Sequence, residues 1–198
     1  MSAVPAGGRR EQTKQANRAA ILTAAREVFA EIGYGAATVR DVIRRTDLAA
    51  GTFYNYFPDK ESVFRALIEE AAVRGREAVR AGRGTARTLE EFIHSGYLAY
   101  FEFVAEDPVT FELTRRNAGT FRAMFDEPTL GAGYQELRED LDEAIARGLL
   151  PAMDTDYVAA AMVGVGVEVG LRMLERDPVD PAGAATFATR LFLAGVPQ

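Results

Sequence analysis

Residues 38–61 read TVRDVIRRTDLAAGTFYNYFPDKE, and this stretch decides the fold of the N-terminal part of the chain. Thr38, followed three residues later by Asp41, is a capping-box pattern with Asp in the usual place of Glu, and Val42 lies on the buried side of the short helix that follows. A three-residue turn then leads to a second short helix that begins at Ala50 and ends before a proline. Two short helices joined in this way are typical of a helix-turn-helix.

Longer helices flank this motif on both sides. Before it, apolar residues recur at the spacing of one helical face, and two glycines end that helix. After it, Asp59 is placed to cap a long helix that begins near Lys60. The apolar face of the preceding helix consists of Ile21, Leu22, Ala25, Val28, Phe29 and Ile32.

The remainder of the chain also follows helical periodicity. No stretch alternates polar and apolar residues over enough positions to predict a strand, so we expect an all-α fold of about nine helices. The apolar run from Val158 to Val167 has only ten residues, too few to span a bilayer, and indicates a buried helix.

Composition excludes several kinds of site. The 198 residues are 48% hydrophobic and 26% charged, as in an ordinary globular protein, and they include no Cys and a single His, His94. A disulfide framework, a thiol nucleophile and a cysteine- or histidine-rich metal site are therefore not expected, nor is any cofactor. The first twenty residues hold no apolar run and predict no secretory signal, which favours the cytoplasm.

The net charge of −6 is unevenly distributed. Residues 1–60 carry nine Lys and Arg against six Asp and Glu, a balance of +3, and residues 61–198 carry −9. Such asymmetry is a hint that the first part meets a polyanion, although a solvated surface explains it equally well.

The helix-turn-helix suggests how DNA would be contacted. Gly51 and Thr52 are small enough for the second helix to approach base edges, whereas hydroxyl, amide and ammonium donors farther along suit phosphates. The predicted DNA-contacting residues are Thr38, Arg40, Ala50, Gly51, Thr52, Tyr54, Asn55, Tyr56 and Lys60.

Residues 17–68, with Ala24 to Tyr34 before the motif and Gly51 to Glu61 within it, resemble the DNA-binding domain of the tetracycline-repressor (TetR) family. The resemblance implies a homodimer whose C-terminal helical domain binds a small molecule and thereby moves the two DNA-binding domains. It implies a flexible basic tail over 1–16, a DNA-binding domain over 17–60 and a ligand-binding and dimerisation domain over 61–198. The family pattern has Ala-Gly and Ser-Lys where this chain has Thr46-Asp47 and Ala49-Ala50, so Ala49 offers no side-chain cap.

The C-terminal part is rich in aromatic residues. Each one suits an ordinary core, but Tyr97, Tyr100 and Phe101 share a helix face, and tyrosines usually keep their hydroxyl near a partner. Arg116 and Asn117 are polar groups on an otherwise apolar helix that could meet a ligand. The predicted ligand-binding residues are Tyr97, Tyr100, Phe101, Phe111, Arg116, Asn117, Phe121, Met162 and Gly166.

The last two helices are apolar on more than one face and must be covered. The family resemblance implies a second subunit as the cover, whereas the residues alone also permit a monomeric core. The predicted dimer-interface residues are Val158, Val165, Val169, Met173, Phe187 and Leu191.

These observations favour a cytoplasmic, ligand-responsive transcriptional regulator, a repressor that a small hydrophobic effector releases from a palindromic operator. One alternative is a DNA-binding protein without an effector. The other is a small helical carrier or enzyme, which is disfavoured because the sequence shows no nucleophile and base pair, metal cluster or phosphate loop. No membrane partner is expected.

Overall fold

The computed structural model describes residues 6–84, 86–117, 128–148 and 150–195, and in these ranges it contains nine helices and no strand. The prediction of an all-α fold with an N-terminal helix-turn-helix is confirmed. The helices are α1 (Ala6–Ile32), α2 (Val39–Arg44), α3 (Ala50–Tyr54), α4 (Lys60–Arg83), α5 (Leu89–Glu106), α6 (Pro108–Arg116), α7 (Pro128–Ala146), α8 (Thr155–Leu174) and α9 (Pro181–Gly195).

Helix α1 is longer than the sequence predicts. It begins at Ala6, so residues 6–16, which we expected to form a flexible tail, are helical. The run from Arg10 to Arg18 contains neither Gly nor Pro and is rich in good helix formers, which lets the helix extend toward the N-terminus. The predicted apolar face is buried except for Ile32, whose side chain is exposed at the last residue of the helix.

Residue contacts divide the described chain into two compact units. The first runs to Glu70 and also takes in the segment that starts at Glu112, and the second holds Ala71–Phe111 and the described residues from 128 onward. The division falls inside α4, ten residues beyond the boundary expected at residue 60. That boundary stays a prediction.

The core of the first unit joins α1, α2, α3 and the start of α4. Phe29, Phe53 and Phe64 are almost fully buried, and Phe29 packs edge-on against Phe64 with ring centroids 6.2 Å apart. Buried aromatic residues on three helices fix the angle at which the short helices lie.

The core of the second unit is built from α5, α7, α8 and α9. Its buried members include Tyr97, Phe101, Leu141, Met162 and Met173. Helix α8 is long and apolar enough to cross a membrane by length and composition, with a mean hydropathy of 1.5, but only 28% of it is buried within the chain. One such helix is weak evidence for a membrane, because core helices of globular proteins meet the same criterion.

Candidate nucleic-acid interface

Helix α3 is held against the first unit by its own aromatic residue. Phe53 is almost fully buried, and its ring lies 6.2 Å from that of Phe57 and 5.4 Å from that of Tyr54. Because Phe53 points inward, its neighbours on the other side of the helix point to solvent. Tyr54 is accordingly 58% exposed.

Most of the predicted DNA-contacting residues lie on the surface. Six of the nine are exposed, and the other three, Thr52, Tyr56 and Lys60, are partly buried. The exposed ones are Thr38, Arg40, Ala50, Gly51, Tyr54 and Asn55. The helix-turn-helix therefore offers a polar surface with a guanidinium, a phenol and an amide, the donors that bind phosphates and base edges.

Thr38 caps α2 and thereby fixes its start. Its hydroxyl accepts a hydrogen bond from the Asp41 amide at 3.3 Å and donates to Asp41 Oδ2 at 2.6 Å, while the Thr38 amide donates to the same oxygen at 2.9 Å. These bonds hold the pKa of Asp41 below its usual value, chiefly through the Thr38 side chain. Thr38 therefore positions α2, whereas α3 begins at Ala49 without a side-chain cap, as the sequence predicts.

The three arginines of the α2 region have different surroundings. Arg40 is exposed and has no carboxylate within ion-pair distance among the residues that the structure describes. Arg44 is also exposed, and its Nη1 lies 3.8 Å from Asp41 Oδ1. Arg45 pairs with Glu27 at 3.4 Å and closely with Glu31, both on α1. Arg40 and Arg44 are therefore available to a polyanion, and Arg45 ties α2 to α1.

Lys60 is engaged inside the first unit. Its Nζ donates to the carbonyl oxygens of Tyr34 at 2.8 Å, Gly35 at 3.2 Å and Ala37 at 2.9 Å, and lies 4.7 Å from the centre of the Tyr34 ring. An ammonium group has three N–H donors, so these carbonyls use all of them. The structure thus corrects the sequence prediction: Lys60 anchors the start of α4 to the loop between α1 and α2 and has no donor left for a phosphate.

Replacing Lys60 by Met should destabilise the first unit by about 2–3 kcal/mol, because three charge-assisted hydrogen bonds are lost and two partly buried carbonyls are left without this donor. Urea denaturation in the absence of DNA measures this change. Arg44→Met, which removes an exposed charge from the same unit, is the matched control and should leave the midpoint nearly unchanged. If the Lys60 variant kept its stability but lost DNA binding, Lys60 would contact a DNA phosphate, as the sequence predicts.

Tyr56 is also turned partly inward. Its hydroxyl accepts a hydrogen bond from Asn17 Nδ2 at 3.4 Å, and Arg18 on the same helix stacks over the Phe57 ring at 5.7 Å. These contacts fasten the end of the helix-turn-helix to α1. No sequence pattern indicates these contacts, because 39 residues separate Asn17 from Tyr56.

The predicted ligand-binding aromatic residues come together in the second unit. Tyr97 stacks on Phe101 with centroids 5.7 Å apart, and Tyr100 meets Phe101 edge-on at 5.6 Å. Tyr97 also donates from its hydroxyl to the Met162 carbonyl at 3.0 Å, and burial raises the pKa of both tyrosines. A Cβ at Gly166 would lie 3.4 Å from the Tyr100 ring, at ordinary contact distance, so α8 passes beside the ring of Tyr100 at this position.

Phe111 lies near this cluster. The polar residues Arg116 and Asn117 make their contacts with residues close to them in the chain. A Cβ at Gly170 would lie 3.6 Å from Phe111. Arg116 instead pairs with Glu112 at 2.7 Å on its own helix, and the Asn117 side chain donates to the Leu113 carbonyl at 2.8 Å. Arg115 and Arg116 lower the pKa of Glu112 to about 2, Arg115 more strongly. Phe121 lies outside the described residues.

The predicted dimer-interface residues divide into three groups by burial. Phe187 and Leu191 on α9 are 59% and 51% exposed, whereas Val158, Val165 and Val169 are partly buried. Met173 lies in the core of the chain itself and is not available to a partner, which corrects its assignment. The sequence reasoning missed three further exposed apolar residues on α8, namely Tyr157, Val163 and Val167.

An exposed polar helix-turn-helix in one compact unit, combined with a separate all-helical unit, defines the class of helical DNA-binding regulators. Residues 21–67 match the family model described as bacterial regulatory proteins, tetR family. These residues therefore form a DNA-binding domain of the tetR family, which supports a DNA-binding transcriptional regulator.

Solved structures agree with this fold over nearly the whole chain. The fatty acid degradation regulator FadR from Bacillus halodurans is 24% identical, with 96% of each chain covered and a TM-score of 0.79. FadR from Bacillus subtilis, solved in complex with stearoyl-CoA, is 21% identical, with 90% of this chain and 98% of that chain covered and a TM-score of 0.75. A TetR-family transcriptional regulator from Pectobacterium atrosepticum is 23% identical, with 93% and 96% covered and a TM-score of 0.69. At these identities the likeness concerns the fold.

Proposed function

We propose that this chain is a cytoplasmic repressor whose DNA-binding domain, residues 17–60, is controlled by a hydrophobic effector bound in residues 61–198. The observation that carries the proposal is the contrast between the two units. The first exposes polar and cationic residues on a helix-turn-helix, and the second gathers aromatic and small residues around Tyr97 and Gly166. A polyanion and an apolar ligand thus have separate places to bind.

Helix α3 is the recognition helix in this proposal. Gly51 and Thr52 in its first turns meet base edges, while Tyr54, Asn55 and Arg40 meet phosphates. Thr38, Tyr56 and Lys60 act indirectly, because their hydrogen bonds fix α2, the end of α3 and the start of α4. Ala50 lies beside these contacts and supplies none through its methyl group.

The exposed apolar residues of α8 and α9 form the homodimer contact in this proposal. Phe187 and Leu191 lie four residues apart, and therefore on one face of α9. Two copies of such a face make a self-complementary contact with two-fold symmetry, and two recognition helices then fit a palindromic operator.

The effector is a small molecule with a long apolar chain. The aromatic rings of α5 and the glycines of α8 offer an apolar surface without a charged side chain. It includes two tyrosine hydroxyls, and that of Tyr97 donates to the Met162 carbonyl. Because this cluster is closely packed, an entering acyl chain would move α5 and α8 apart. A fold neighbour solved with stearoyl-CoA supports an acyl compound as the first candidate.

Release of DNA by an acyl compound tests this proposal. A duplex selected from a random library by the purified protein is titrated in fluorescence polarisation, with and without stearoyl-CoA or oleate. We expect either compound to raise the apparent Kd at least about tenfold, which corresponds to a coupling energy of at least about 1.4 kcal/mol, and to raise the melting temperature without DNA.

The variant Gly166→Leu should retain DNA binding and lose this response, since its side chain would occupy the space beside Tyr100. Gly164→Leu, at an open position of the same helix, is the matched control. A protein that binds its operator equally well with every apolar compound would be an effector-independent regulator instead.

A further inference from the structure

A second cleft in the C-terminal unit differs in chemistry from the aromatic cluster. It has a volume of about 310 Å³ and lies between the end of α4, the start of α5 and the end of α7. None of the predicted ligand-binding residues lines it. The charged side chains that do so are Arg80, Arg83, Arg87, Asp140, Glu143 and Arg147, four cations against two anions.

Arg83 is the most enclosed of these cations. Its side chain is only 14% exposed, its Nη1 lies 3.4 Å from Asp140 Oδ2, and its guanidinium stacks over the Phe92 ring at 4.9 Å. Its Nε is buried and has no hydrogen-bond partner among the residues that the structure describes. A guanidinium carries five N–H donors, so the single contact with Asp140 leaves donors for another acceptor.

Two of the other arginines add charge that no ion pair in the described ranges neutralises. Arg80 and Arg87 are exposed, and in the described ranges neither has a carboxylate within ion-pair distance. Arg147 pairs with Glu143 at 3.6 Å, and both side chains are exposed. The cleft is therefore cationic by two charges, although residues 61–198 as a whole carry −9. A local excess of one sign inside a concave surface concentrates ions of the other sign.

We propose that this cleft binds a small phosphate-bearing molecule. Guanidinium groups match phosphate oxygens in pairs, and the double negative charge of a phosphate monoester equals the excess charge of the cleft. Leu89, Phe92 and Ala144 provide an apolar wall for the remainder of the ligand. The volume is that of a small-molecule pocket. No residue that lines this cleft belongs to the aromatic cluster of the proposed effector site, so pyrophosphate, which has no apolar chain, tests the cleft separately.

Isothermal titration of the full-length protein with pyrophosphate tests the site, with inorganic phosphate and sulfate titrated at the same ionic strength. We expect saturable binding of pyrophosphate, tighter than that of sulfate. The double variant Arg80→Gln/Arg87→Gln should weaken the affinity at least about tenfold, because two charge-assisted contacts are lost. Both residues are exposed, so the variant should keep the circular dichroism spectrum of the wild type.

The control Arg172→Gln/Arg176→Gln removes the same charge from the end of α8 in the same unit. It should bind pyrophosphate as the wild type does. The proposal is overturned if pyrophosphate and sulfate give the same unsaturable heats, or if both double variants lose affinity equally, since either result means general charge screening.

Discussion

Replacing Arg40 and Arg44 by Gln should lower operator affinity on the order of 100-fold near physiological salt. Both side chains are exposed on α2, and the one nearby carboxylate, Asp41, lies 3.8 Å from Arg44 and is engaged in capping. In a dimer the double variant loses four phosphate contacts. The slope of log K against log salt should therefore decrease by about one for each contact.

Fluorescence polarisation with the selected duplex over a range of salt concentrations measures both quantities. The control Arg172→Gln/Arg176→Gln carries the same charge change on the second unit and should keep the wild-type slope. An unchanged slope in the α2 variant would remove Arg40 and Arg44 from the DNA interface. Equal losses in both variants would mean that only the net charge matters.

The double variant Phe187→Asp/Leu191→Asp should be a monomer of 21.6 kDa in light scattering, whereas the wild type should have twice that mass. Two carboxylates on the apolar face of α9 cannot be buried against a second copy without partners. Since both side chains are more than half exposed in the single chain, the subunit itself should stay folded. Affinity for a palindromic duplex should fall at least about 100-fold, because each DNA-binding domain must then bind its half-site alone.

Ile32→Asp is the matched control for the oligomeric state. Ile32 is also a large exposed apolar residue, but it ends α1 in the first unit. This variant should remain a dimer. A double α9 variant that still had the mass of a dimer would place the contact elsewhere, and the apolar residues Tyr157 and Val167 on α8 would be the next positions to change.

The sequence was sufficient to predict those helix boundaries that depend on residues close together in the chain. Thr38 and Asp41 predicted the start of α2 correctly, because a capping box is made by residues three apart. The small and polar residues Gly51 and Tyr54, predicted to face DNA, lie on the exposed side of α3. The predicted start of α1 was wrong by more than ten residues, because the polar N-terminal turns of this helix show no apolar periodicity.

The roles of single side chains were harder to predict. Lys60 carries the charge of a phosphate ligand, but three carbonyls that lie 23 to 26 residues earlier in the chain take all its donors. Met173 follows the same apolar pattern as its neighbours, and only the packing of the second unit shows that it faces inward. The cationic cleft around Arg83 was not foreseen, because its arginines lie on α4, in the loop before α5 and just after α7, and the sequence around them is acidic overall.

The sequence by itself therefore determined the all-α fold, the helix-turn-helix and the placement of positive charge in the first 60 residues. These properties depend on short-range periodicity, capping and composition, which involve only residues close together in the sequence. The tertiary structure decided which cations remain available, which apolar residues stay uncovered and where distant arginines meet. Those properties depend on contacts between residues far apart in the chain, and the burial that creates them exists only when the helices have packed.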